Sequence, residues 1–233
     1  MTLLRVIDFE TTGMPPDAAI CEIGFCDVKV DQSSITVGVA RSTLVFPGCP
    51  IPVEATAVHH ITEEDVMKAP RAEEVLPRMH AGKPDYFVAH NADFERAFFP
   101  GDGVPWLCTY KIARHLYPEA PGHSNQVLRY FFKILIGSAD AMPPHRAGPD
   151  AFVTAHLLAR FIAAAHKAEL SLADLHRISM HPALLRTINY GKHKGSTYEA
   201  APLDYLQWIV DKSEMGPDEK HTAAYWIRKR VGA

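Results

Sequence analysis

The stretch Val6-Ile7-Asp8-Phe9-Glu10-Thr11-Thr12-Gly13 decides the fold. Leu3 to Ile7 is a short apolar run of the kind that makes a fully buried strand. Two carboxylates, Asp8 and Glu10, stand at its C-terminal end. Strand side chains alternate, so Asp8 and Glu10 project from one face and Phe9 from the other. Two like charges held that close repel unless a cation lies between them. Hard carboxylate oxygens suit Mg²⁺ or Mn²⁺. The same residues admit a plainer reading, two solvated acids where a strand meets a loop. Thr11-Thr12-Gly13 reads as a turn, with Gly13 letting the backbone approach a ligand.

Outward from this stretch, Ile20 to Val30 and Thr36 to Phe46 read as strands joined by the turn Asp31-Gln32-Ser33-Ser34, an antiparallel meander with the first strand. Pro47-Gly48-Cys49-Pro50-Ile51-Pro52 ends that edge. Short helices are expected over 63–67 and 72–80, the first capped by Thr62 with Asp65. Tyr86 to Ala89 is a second buried strand, and Val104 to Cys108 a third short one. Helices are expected over 94–99, 110–116, 124–136 with Ser124 as cap, and from Gly148 through Ala165. Strands alternating with helices after an opening meander indicate α/β with a mixed sheet.

Near Lys167 the pattern changes. Ser171 to Asp174 opens a short helix. Ile188 to Gly195 reads as a strand into a basic, glycine-bounded turn, and helices from Pro202 and Pro217 close the chain. This predicts a main unit over 1–167 and a small α+β module over 168–233. Residues 186–233 carry 8 Lys+Arg against 6 Asp+Glu, whereas the whole chain has a net charge of -3. That charge does not by itself mark a nucleic-acid binder. Arg5 and Asp8 interrupt the N-terminal apolar stretch, which therefore does not read as a signal peptide. No run approaches the ~18 apolar residues of a membrane span. Four cysteines without C-x-x-C spacing argue against zinc and suit a reducing cytoplasm.

Two more acidic patches follow. His90-Asn91-Ala92-Asp93-Phe94-Glu95 lies where a strand end passes into a helix, a place where α/β sheets hold ligands. His145-Arg146-Ala147-Gly148-Pro149-Asp150 lets a loop histidine and a helix-start carboxylate converge. Asp8-x-Glu10, His90-Asn91-x-x-Phe94-Glu95 and His145-x-x-x-x-Asp150, in this order, resemble the three motifs of DEDDh 3′→5′ exonucleases, the DNA polymerase III epsilon-like branch of the ribonuclease H-like fold. Val58-His59-His60-Ile61-Thr62 resembles the family's segment between its first two motifs. Tyr190-Gly191-Lys192-His193-Lys194-Gly195 with Tyr205-Leu206-x-Trp208 resembles the exonuclease X tail.

The resemblance implies a mixed five-stranded sheet flanked by helices and hydrolysis with two Mg²⁺ (or Mn²⁺) ions roughly 3.5–4 Å apart. Asp8 would bridge both, Glu10 and Asp150 would hold the ion that carries the attacking water, and His145 would be the general base. The family's second motif usually ends in Asp, where this chain has Glu95. Asp93 is its rival, but the two stand about 200° apart around a helix, and register favours Glu95. By the same resemblance Thr11, Thr12, Gly13, Met14 and His59 contact the terminal nucleotide. Asn91 is expected to support the site, and Lys192 and Lys194 to meet phosphates. Glu22 has no burial logic in the sequence and is a candidate support for the metal site. Trp106, Trp208 and Trp226 each sit in an apolar pattern and read as core. The expected partners are single-stranded DNA or duplex 3′ ends in repair, with a homodimer known among relatives. An exoribonuclease and a non-catalytic nucleic-acid-binding module remain as alternatives.

Overall fold

In the computed structural model, which describes residues 1–137 and 143–232, the opening stretch lies in the long strand β1 (Thr2–Thr11). It pairs antiparallel with β2 (Ile20–Val30), Asp8 facing Gly24 and Glu10 facing Glu22. Its other edge pairs parallel with β5 (Tyr86–Ala89), and β5 pairs parallel with β6 (Trp106–Cys108). The far edge is split. Where one strand over 36–46 was expected, β3 (Ile35–Val37) and β4 (Arg41–Leu44) each pair separately with β2. The break falls at Gly38, whose N–H donates to the Asp27 carbonyl at 2.8 Å. The mixed sheet therefore has six strands, not five.

The sheet's two faces carry separate cores. Leu4 and Val6 of β1, Cys26 and Val28 of β2 and Val88 of β5 face the long helix α7 (Ala147–Lys167), which buries Val153, Leu157, Phe161 and Ile162 against them. Each such side chain contributes about 1.5–3 kcal/mol by leaving water. Ile7, Phe9, Ile23, Phe87 and Trp106 face the other way, onto Val75 and Met79. By strand parity Asp8 and Glu10 share the α7 face. Arg5, on the opposite face, is buried. It binds Asp27 with Nε and Nη2 (2.8 Å each) and donates to the carbonyls of Met79 and Ala81.

α7 reaches the sheet because β2 has glycine at position 24. A Cβ there would lie 2.1 Å from the Ala147 carbonyl carbon and oxygen. The first turn of α7 thus rests directly on β2, opposite Asp8.

The short helices α1 (Val53–His59), α2 (Glu63–Val66), α3 (Ala72–Val75), α4 (Ala92–Phe98) and α5 (Thr109–Leu116) connect the strands. α2 carries the Thr62–Asp65 capping box. The helix expected over 124–136 is shorter: α6 spans Asn125–Phe131, with no side-chain cap from Ser124. It stops in a Schellman turn. Lys133 has φ +51, its N–H donates to Tyr130, and Ile134 donates back to Arg129.

After α7, α8 (Leu172–Met180) sits behind the Ser171–Asp174 capping box and sends Leu175 into the main core. The tail packs Ile188, Tyr198, Leu206, Ile209 and Ala223 into a cluster of its own. The strand expected from Ile188 is absent. A single bridge, Thr187 to Thr197, and a 3₁₀ turn (Gly191–His193) stand there, so the module is helical, with α9 (Leu203–Asp211) and α10 (Pro217–Val231). Arg114 of α5 ties the tail to the body through Asp218 at 2.7 Å. Among the described residues, no helix is long and apolar enough to cross a membrane.

Candidate active site

Three elements meet at the C-terminal end of β1. Asp8 and Glu10 come from the strand, and Asp150 from the first turn of α7. One oxygen from each can lie within 4.8 Å of the others. The placement of α7 on Gly24 is what brings Asp150, remote in sequence, to the pair. Asp150 is held further: Oδ2 accepts the His145 backbone N–H at 2.7 Å and Oδ1 accepts Gln126 Nε2 at 3.2 Å.

Glu95 reaches the site from α4. It is 4% exposed, and its Oε2 has no hydrogen-bond partner among the described residues. It stands outside the three-carboxylate cluster but close enough to repel Asp8 and Glu10. Asp93 turns outward, is exposed, and pairs with Lys111 at 2.7 Å and Arg96 at 3.4 Å. The 200° rotation between the two positions puts one in and one out.

The electrostatics are those of a site short of positive charge. Burial, then repulsion from Asp150, Glu95, Glu10 and Glu22, raises the Asp8 carboxyl well above its usual range. Burial and the neighbouring Asp150 and Glu22 push Glu10 up to about 8. Burial likewise raises Glu95 to about 8 and raises Asp150 against the pull of the hydrogen bonds it accepts. Four carboxyl groups in this state, one with an orphaned buried oxygen, fit a hard divalent cation.

Glu22, unexplained by sequence, is 1% exposed. It accepts Arg146 Nε at 2.8 Å and Nη2 at 2.9 Å, and the Ala147 N–H at 3.1 Å. Burial works to raise it, yet these bonds and the Arg146 charge hold its carboxyl below the ordinary value. The pair fastens the residue next to His145 to the sheet. His145 itself is exposed, in a left-handed conformation at φ +60.

The other expected site residues divide. Thr11 and Thr12 are buried and shape the turn: Thr11 Oγ1 donates to the Gly13 carbonyl, and Thr12 Oγ1 accepts the Ala19 N–H. Gly13 and Met14, next in the turn, are exposed, as is Asn91 at the start of α4. Lys192 and Lys194 are exposed on the tail. His59 lies inside the fold. It is buried, its Nδ1 accepts the Ile61 N–H at 3.0 Å, and its Nε2 lies 3.7 Å from Cys21 Sγ. The ring braces the local backbone at this point. His90 is a second internal brace, linking Thr109 and the His123 carbonyl, with burial pushing its pKa down to about 4.

Comparison with known proteins identifies this arrangement. A family model for exonucleases, RNase T, matches residues 6–158. The chain belongs to the exonuclease family. Exodeoxyribonuclease 10 of Escherichia coli (strain K12) is 33% identical over 229 residues, covering 97% of this chain and 99% of that protein. A DNA polymerase III subunit epsilon-like protein of Rhodobacter capsulatus is 32% identical over 195 residues, covering 79% of this chain and 27% of that protein. Among solved structures, exonuclease X in complex with 5′ overhanging duplex DNA superposes with a TM-score of 0.64 at 34% identity, over 76% of this chain and 99% of that one. The nuclease domain of 3′hExo, a DEDDh family member bound to rAMP, shares the fold, with a TM-score of 0.53 at 16% identity, over 72% of this chain and 94% of that one. This exonuclease is thus a nuclease hydrolase of ribonuclease H-like fold. Its family is divalent-metal dependent, and its acidic cluster suits that dependence.

Proposed function

We propose that this exonuclease is a 3′→5′ exodeoxyribonuclease. It removes nucleoside 5′-monophosphates from single-stranded DNA or duplex 3′ ends, in repair. One observation carries the reading: Asp8, Glu10 and Asp150 converge near Glu95, whose Oε2 has no hydrogen-bond partner among the described residues, in a chain that aligns end to end with a relative named for DNA.

Asp8, Glu10, Glu95 and Asp150 would hold two Mg²⁺ or Mn²⁺ ions, and when bound these would supply Lewis-acid charge to the attacking and leaving oxygens. His145 takes the proton from the attacking water. An imidazole nitrogen can accept a proton, and the exposed position of this one lets it pass that proton to solvent. Asp150, gripping the His145 backbone, couples the position of the base to that of the acidic cluster. The Thr11–Met14 turn and Asn91 border the terminal nucleotide, and Lys192 and Lys194 meet phosphates farther along.

Oligonucleotides labelled at the 3′ or the 5′ end, in DNA and in RNA, test this reading. Immediate release of a labelled mononucleotide from the 3′-labelled DNA, abolished by chelator, is the expected result. Release from the 5′ end first, or faster hydrolysis of RNA, contradicts it.

A further inference from the structure

The family match ends at residue 158, and the aromatic side chains of the tail have no part in the reading above. Three aromatic rings run together there. The His193 ring centre lies 4.4 Å from that of Tyr205, and Tyr205 lies 5.7 Å from Trp208 with ring planes 19° apart. Trp208, expected in the core, is 42% exposed and outside the tail's apolar cluster. A core indole is covered and its N–H is usually partnered; this one stacks on one side and faces water. Gly191 (φ +63) brings the 3₁₀ turn against Tyr205, where a Cβ would lie 3.3 Å from the phenol oxygen.

Charge accompanies the rings. Lys192 and Lys194 flank His193, both are exposed, and neither ammonium is paired among the described residues. The two acids of the same helix nearest the rings are engaged locally. Asp204 accepts the Tyr205 N–H and Asp211 accepts the Gln207 amide, each at 2.8 Å.

We propose that His193, Tyr205 and Trp208, with Lys192 and Lys194, form a second contact for the single-stranded part of the substrate, remote in sequence from the carboxylates. The proposal rests on the nucleic-acid substrate argued above. Unpaired bases stack on exposed aromatic faces whatever their sequence, and lysines neutralise adjacent phosphates without reading bases. A duplex hides its base faces, so the platform favours single strands.

The test uses the full chain in chelator, where binding is read without cleavage. The probe is fluorescent oligothymidylate, with a blunt duplex of equal length as control. Trp208→Ala is expected to weaken single-strand binding about tenfold or more, the scale of losing one stacked base. Trp208→Phe should restore most of that affinity. Lys192→Gln with Lys194→Gln should reduce the slope of log affinity against log salt by about 1.4, as two lost phosphate contacts on a single strand require. Wild-type tryptophan fluorescence should be quenched by oligothymidylate and not by the duplex. Unchanged affinity in Trp208→Ala, or no quenching of the wild type, overturns the platform. Hydrolysis by the wild type in Mg²⁺ is measured separately: present, it confines that failure to the platform; absent, it removes the substrate reading on which the platform rests.

Discussion

Glu22 holds Arg146 by both carboxylate oxygens, at 2.8 and 2.9 Å, across 124 residues of chain. Glu22 stands opposite Glu10 on the neighbouring strand, and Arg146 precedes the helix that delivers Asp150. One ion pair thus sets the distance between the strand acids and the helix acid. Arg146→Ala leaves a buried carboxylate without its cation, held only by the neutral donors of Ala147 and Ser42, and should destabilise the fold by about 3 kcal/mol, the low end for breaking a buried pair. Urea unfolding checks this. Glu22→Gln keeps the shape and loosens the grip on the His145 loop, so kcat should fall with KM nearly unchanged.

Gly24 is the second fixed point. With Ala147 backbone 2.1 Å from where a Cβ would stand, Gly24→Ala must lift the start of α7 from the sheet. Overpacking of this kind costs roughly 1–3 kcal/mol or more. The expected outcome is a lowered melting temperature together with a loss of nuclease activity larger than the stability loss explains, because Asp150 moves with the helix.

Glu95 and Asp93 make a paired test. Glu95→Gln removes an acid that the folded, metal-free chain keeps protonated, its carboxyl pushed up to about 8 by burial. It should raise the melting temperature of the metal-free protein and lower activity, a trade of function for stability. Asp93→Asn touches an exposed pair worth about 0–1 kcal/mol and should leave both nearly unchanged. Thermal melts and hydrolysis rates of the two variants, side by side, decide which carboxylate belongs to the site.

The raised carboxyls give the metal-free protein a pH dependence of known sign. Glu10 and Glu95 move from an ordinary value near 4.5 to about 8 in the folded chain. The folded state therefore binds more protons than the unfolded state between those values. Stability is fully present below about 4.5 and is lost as pH rises toward about 8. In chelator the melting temperature should fall over that window. Added Mg²⁺ or Mn²⁺ should restore it, more at pH 8 than at pH 6. A flat profile would remove the repulsion on which the site rests.

What could be read from the chain follows how local each cause is. The i, i+2 rule put Asp8 and Glu10 on one face, and helical rotation separated Glu95 from Asp93, leaving the choice of Glu95 to the register of the family resemblance. The capping boxes at Thr62 and Ser171 are contiguous in sequence and were equally legible. The split at Gly38 was not, because it depends on a bond to Asp27 across the sheet. The early end of α6 depends on a left-handed Lys133, which no side-chain preference announces. Glu22 read only as a support for the metal site, because its partner Arg146 lies 124 residues away, and the burial of His59 depends on Cys21, which is also remote in sequence. Trp208 sat in an apolar pattern, but the face it occupies on α9 is uncovered.

The central claim is that carboxylates from β1, α4 and α7 act together on a nucleic-acid 3′ end. Its most direct test is nucleotide release from 3′-labelled single-stranded DNA by the wild type and Asp8→Ala, each in Mg²⁺ and in chelator. Residues that merely support a metal site cost 10- to 100-fold when removed, so losing Asp8 should slow release by more than about 100-fold. Chelator should reduce the wild type to the same level. Release by Asp8→Ala at the wild-type rate, or wild-type release that survives chelator, would contradict the account.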